Sequence, residues 1–297
     1  MNKARTVKKR IIIILCFLFF SCATLQMQRV PISFNEIDTM AIPEEIPFSE
    51  YNRLNINKDK EILLNFKKPE KELNYYENSL FFSQINENSG IKSTFSRYIK
   101  MLLKGDSQEF WEILMESEIK SRENKKLIMK FIMSKFGEIQ KFLYGKGNIL
   151  EGKVEILDWK REAIFPKKPV KVGDRWKYSE KMTIKISYFF IDSTSPEEIH
   201  VFSKFDGYAR YKGQLCAIIT SKTHSQRKES FSTIFKKFNI IIDTYASEKT
   251  LFDIEKGIIV AKIADIHSFT FSEDGAFSDE SRGKVIQVIC DKNRNPN

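Results

Sequence analysis

The residues able to do chemistry are few and poorly grouped. His200, His224 and His267 are the three histidines, the side chains that titrate nearest neutrality, and Cys16, Cys22, Cys216 and Cys290 are the four cysteines. Asp265 and His267 stand two apart, which on a strand puts a base and an orienting carboxylate on one face. No nucleophile signature accompanies them, and an ordinary surface pair is the better reading of the spacing. Ser225-Gln-Arg-Lys228 fits a Ser-x-x-Lys pattern, but a chain this rich in serine and lysine produces it by chance. His200 and His224 are isolated. Glu273-Asp274 and Asp279-Glu280 read as loop tips, without the oxygen-ligand spacing that calcium needs. Gly-x-Ser-x-Gly, His-Glu-x-x-His, Gly-x-x-x-x-Gly-Lys and Gly-x-Gly-x-x-Gly are all missing from the sequence. No catalytic, cofactor-binding or metal-binding residue is therefore assigned, no cofactor is expected, and the sequence reads as non-enzymatic.

The strongest signal lies at the start. Lys3, Arg5, Lys8, Lys9 and Arg10 precede an apolar run from Ile11 to Phe20, followed by Ser21-Cys22. A basic flank before a short apolar segment is the layout of an export signal, and the run is far shorter than the roughly 20 residues of a membrane-spanning helix. Phe19-Phe20-Ser21-Cys22 resembles the lipobox of bacterial lipoproteins, in a relaxed form similar to that of spirochaetes. Ser21 fits the position before the cysteine; Phe19 and Phe20 depart from the usual Leu and small-residue pattern. The resemblance implies cleavage between Ser21 and Cys22, lipidation of Cys22 with an acyl anchor such as palmitate, and partnership with a membrane through that lipid. An outer-membrane location is expected over an inner one. The open alternative is an ordinary cleaved signal with a coincidental cysteine.

With Cys16 and Cys22 so used, Cys216 and Cys290 remain. An oxidising compartment permits a disulfide between them, and two separate buried thiols fit as well. The formal charge of +10 suggests nucleic acid at first, but half of that excess sits in the export segment and the rest is scattered. No nucleic-acid partner is expected, because such binding needs clustered charge against phosphates.

The elements that would position any site follow from periodicity. Residues 1–21 form the signal, 22–58 a lipidated N-terminus and tether marked by Pro31, Pro43 and Pro47, and 292–297 a disordered tail. Residues 59–150 form an α+β region. Phe95, Tyr98, Ile99, Leu102 and Leu103 fall at helical spacing, a second helix follows from Ser107 with Phe110, Trp111, Leu114 and Met115, and a third carries Leu127, Ile128, Phe131 and Ile132. From about 151 to 291 the period is two. Ile184 and Ile186 alternate with Thr183, Lys185 and Ser187, and turn signals such as Asp206-Gly207 and Lys212-Gly213 call for antiparallel pairing. The expected fold is α+β, a helical segment over about 91–143 packed on a large, curved antiparallel sheet or partly open barrel.

Two weaker resemblances accompany this reading. Residues 91–165 loosely resemble the cone-shaped domain of the nuclear-transport-factor-2-like superfamily, which implies a helix-backed sheet with a cavity. Phe165-Pro-Lys-Lys-Pro-Val-Lys-Val-Gly-Asp-Arg-Trp176 is similar to a Pro-x-x-Val-x-x-Gly-Asp-x-Trp motif of uncharacterised exported β-rich proteins, with Trp176 expected to plug one end of the sheet. The functional expectation is a membrane-anchored envelope lipoprotein that binds a hydrophobic ligand or an envelope protein. The alternatives are a structural or surface-exposed lipoprotein without a pocket and an enzyme with a site built from scattered residues.

Overall fold

The computed structural model describes residues 51–290, apart from 57, 85–89, 106, 120–124, 150–151, 189–190, 233–236 and 274–277. Ser21, Cys22 and the 292–297 tail lie outside the described residues. The strands are β1 Tyr51–Leu54, β2 Leu73–Gln84, β3 Gly90–Lys104, β4 Phe110–Ile119, β5 Lys125–Ser134, β6 Ile139–Ile149 and β7 Gly152–Arg161, then β8 Arg175–Tyr188, β9 Ile191–Tyr211, β10 Gln214–Ser232, β11 Lys237–Asp253, β12 Ile258–Ser272 and β13 Ser278–Ile289. Each strand from β2 to β13 pairs antiparallel with the next, and β13 returns to pair with β2, for instance Val285 with Ser79. The result is a closed up-and-down barrel. The short β1 lies along the end of β9, Tyr51 opposite Tyr211 and Leu54 opposite Tyr208. It falls within the stretch expected as tether.

The α+β expectation is overturned: among the described residues there is no helix, and the segments expected as helices over 91–143 are β3 to β6. The cause is visible residue by residue. Ile99 and Leu103 of β3 point into the barrel while Tyr98 and Leu102 point out, so apolar residues on both faces of one strand imitate the i, i+3, i+4 spacing of a helix. In β5, Leu127 and Phe131 face in, and Ile128 and Ile132 face out. The helix-backed sheet implied for 91–165 falls with these helices. The C-terminal expectations hold in kind, with antiparallel strands throughout and Ile184 and Ile186 of β8 on the face opposite to Thr183 and Lys185.

One end of the barrel is plugged. A strap from Lys60 to Lys67 crosses it, tied at Ile62 to Val170 by two backbone bonds, at Phe66 to the Lys135 carbonyl and at Lys67 to the Gly257 carbonyl. Those partners belong to three different connections around the rim, so the strap spans the opening. Leu64, Phe165, Phe205, Tyr208 and Phe252 fill the space below it, with Phe165 and Phe252 rings 4.8 Å apart. The Gly-Asp motif builds the neighbouring corner. Gly173 has φ of 101°, a conformation that suits glycine, the Asp174 carboxylate accepts from the Lys171 N–H, and Trp176 donates to the Ile164 carbonyl while packing on the plug. Trp176 therefore sits where the motif placed it.

Candidate ligand-binding lumen

Inside the barrel, above the plug, lies a cavity of about 690 Å³. Its size is within the range of small-molecule sites, roughly 300–1,000 Å³. Which side chains face it is set by strand parity and by several register shifts, of which the one in β7 decides where Trp159 and Arg161 point. On β7, Val154 and Ile156 point inward; at Leu157 an extra residue enters the strand, and the register to β8 shifts between Ile156 and Asp158. A bulge of this kind reverses the parity beyond it. Trp159 and Arg161 consequently face the lumen, and Asp158 and Lys160 form an exposed pair outside.

The lumen has two walls. Strands β3 to β5, with Trp159 of β7, present Leu103, Ile113, Phe131 and a set of methionines. Met101, Met115, Met129, Met133 and, on β8, Met182 are all the methionines among the described residues, and each packs in this inner cluster. Phe131 and Trp159 meet edge to face at 4.8 Å. Methionine is unbranched and polarisable, and a wall built from it adapts to irregular apolar guests.

The opposite wall, from β9 to β12, mixes hydroxyls and an ion pair with small and aliphatic side chains such as Val201, Ala246 and Ala264. Ser203 and Ser221 hydroxyls meet at 2.9 Å, both buried, with Thr223 next on the same face. Charges in the lumen are mostly compensated. Glu77 takes Arg97 at 2.7 Å, and Glu248 pairs with Lys262 while accepting from Thr250. Burial pushes the Tyr75 and Tyr178 phenols above their ordinary range, with the Glu248 charge adding to the effect at Tyr178.

Arg161 is the exception. Its Nε donates to the Gly137 carbonyl at 2.9 Å, its Nη2 reaches the Met133 sulfur at 3.3 Å, and its guanidinium lies 5.3 Å from the Trp159 ring centre. Glu180, opposite Arg161 in register, accepts instead from the Trp159 indole at 2.6 Å. Burial lowers the guanidinium pKa and the Glu180 charge pulls it back up; arginine remains charged at neutral pH in either case.

The residues first singled out for chemistry do not converge. Asp265 and His267 share the outer face of β12, but the imidazole bonds Glu280 of β13 at 2.7 Å. Ser225 points into the lumen and Lys228 out, where it pairs with Glu273. His224 stacks on Tyr245 and bonds Asp243 at 2.6 Å, again outside the barrel. Cys216 and Cys290 are present as thiols, the first buried on the outer face of β10. No group of metal-ligating residues occurs among the described residues. The lumen residues were missed because β3 to β5 read as helices and the bulge at Leu157 hid the inward turn of Trp159 and Arg161.

No family model matches the chain, and no curated protein matches it either. Among solved structures it is similar to Pseudomonas aeruginosa OccD3 (OpdP), at 8% identity over 76% of this chain and 93% of that one, with a TM-score of 0.20. It is similar also to OccK11 (OpdR) of the same organism, at 5% identity over 76% and 98% of the two chains, with a TM-score of 0.19. Likeness at that level carries no argument about this chain.

Proposed function

We propose that this chain is a non-enzymatic envelope lipoprotein whose barrel carries a hydrophobic ligand in its lumen. Residues 1–21 direct export, a diacylglycerol thioether on Cys22 holds the protein at the outer membrane, and the following residues space the barrel from the surface. The observation that carries the reading is the methionine- and aromatic-lined wall facing a cavity of about 690 Å³ inside a closed barrel. A filled interior would have favoured a purely structural protein, and a polar cleft with converging titratable groups an enzyme.

The outer surface supports attachment by lipid rather than by insertion. Glu112 with Lys130, Glu116 with Lys126, and Lys181 with Glu198 form outward ion pairs on β4, β5, β8 and β9. In hydrocarbon each outward Lys would cost about 2–4 kcal/mol at mid-depth, so this side of the barrel belongs in water. Lipidation supplies the hold instead, at about 0.8 kcal/mol per buried methylene.

Native mass spectrometry of the full-length protein extracted from envelope membranes tests both parts. The expected spectrum shows acyl mass on Cys22 and an apolar molecule that is released on unfolding, and Cys22→Ser moves the protein to the soluble fraction. An unmodified Cys22 would remove the anchor from the reading, and a lumen that never retains an apolar molecule would remove the ligand.

A further inference from the structure

Arg161 is out of keeping with its surroundings. A guanidinium offers five N–H donors in a planar fork. Here two atoms donate, one to a neutral carbonyl and one to a thioether, which is a weak acceptor. Of the other cations that line the cavity, Arg97 and Lys262 each hold a carboxylate, while Lys67 of the strap reaches the Glu255 carbonyl at the rim. Glu180, directly opposite in register, acts on Arg161 through its charge, while its Oε1 accepts from the Trp159 indole. A charge in an apolar setting costs free energy unless it is paired, and a planar fork suits a bidentate anion such as a carboxylate or phosphate. Tyr178 lines the same cavity. Away from Arg161 the cavity continues along Met133, Phe131, Met129 and Met115, a path without charge. A cationic end and an apolar path in one cavity describe a particular guest.

We propose that Arg161 anchors the anionic head of a single-chain amphiphile, whose acyl chain lies along the methionine wall. The proposal rests on the lumen being a ligand site, and it adds the chemical class of the ligand. A cavity of about 690 Å³ suits one acyl chain better than several, and a neutral alkane or alcohol of equal length would leave the remaining Arg161 N–H groups without an anionic acceptor.

The experiment uses the full chain in phosphatidylcholine vesicles, labelled with two photoreactive probes of equal length, a diazirine-bearing hexadecanoic acid and the corresponding hexadecanol. Cross-linked peptides are located by mass spectrometry. The acid is expected to label β5 and β7 at about tenfold lower concentration than the alcohol, the least that a charge-assisted pair of roughly 1.5–3 kcal/mol implies. Arg161→Gln should remove that preference while keeping alcohol labelling, and Arg161→Lys should restore part of it. Competition by unlabelled hexadecanoic acid or by hexadecyl phosphate tells which anion is taken, and either result supports the proposal. Equal lumen labelling by acid and alcohol in the unaltered protein overturns the anchor and leaves the lumen as a ligand site. Absence of lumen labelling by both probes overturns the ligand site as well.

Discussion

Two walls of the barrel distribute their polar groups differently. In β3 to β5 the lumen face is largely methionine, phenylalanine and isoleucine, while the outer face carries Glu112, Glu116, Lys126 and Lys130 between Tyr98, Leu102, Ile128 and Ile132. In β9 to β12 the lumen face carries Ser203, Ser221, Thr223 and the Glu248–Lys262 pair, while near the plug Cys216, Ile218, Leu251 and Ile263 are buried pointing away from the lumen. A barrel selected only for stability would fill its interior from both sides. An interior apolar on one wall and partly hydroxylated on the other leaves a cavity of about 690 Å³. Closure of the sheet makes this possible, because each strand has two independent faces and no edge.

The largest disturbance of that contrast is expected in a paired test of the walls. Ile113→Asp puts an unpaired charge on the apolar wall and should cost at least about 3 kcal/mol by chemical denaturation. Changing Ser203 and Ser221 together to alanine removes both ends of one hydrogen bond and should stay within about 1 kcal/mol. Equal costs would erase the distinction between the walls.

Smaller effects test the outer face. Burial, with the Asp253 charge adding to it, pushes the Cys216 thiol up to about 12, so it stays protonated and should resist maleimide until the protein is unfolded. Rapid native labelling would show that this outer cluster is open to solvent. The smallest change concerns Glu280, held below the usual carboxylate range by hydrogen bonds from His267 first and Arg282 second. A carboxylate whose folded pKa is depressed stabilises the protein above the unfolded value, and that contribution is lost as pH falls through the folded one. Glu280→Gln should therefore flatten the acid side of the stability curve and leave alkaline stability unchanged.

The C-terminal half was legible in the sequence because its strands keep one polar and one apolar face for several residues, as Thr183 to Ile186 do in β8. The N-terminal half was not, because Tyr98 and Leu102 outside and Ile99 and Leu103 inside together imitate a helical period. Trp176 could be placed at the plug because Gly-Asp before a tryptophan forces a corner. Arg161 could not be placed inside, since simple alternation from Val154 and Ile156 assigns it to the outer face; only the register shift at Leu157 reverses it. The site was hidden by backbone geometry rather than by unusual residues.

Trp159 offers the most direct test of the apolar wall as a binding surface. Of the three tryptophans it is the one that lines the cavity, while Trp176 packs on the plug and Trp111 sits deeper in the inner cluster. Titration of the full chain with a fatty acid brominated along its chain should quench tryptophan emission saturably, and most of that quenching should vanish in Trp159→Phe. Saturable quenching that is unchanged in Trp159→Phe, or no quenching in the unaltered protein, would contradict binding of the amphiphile against this wall.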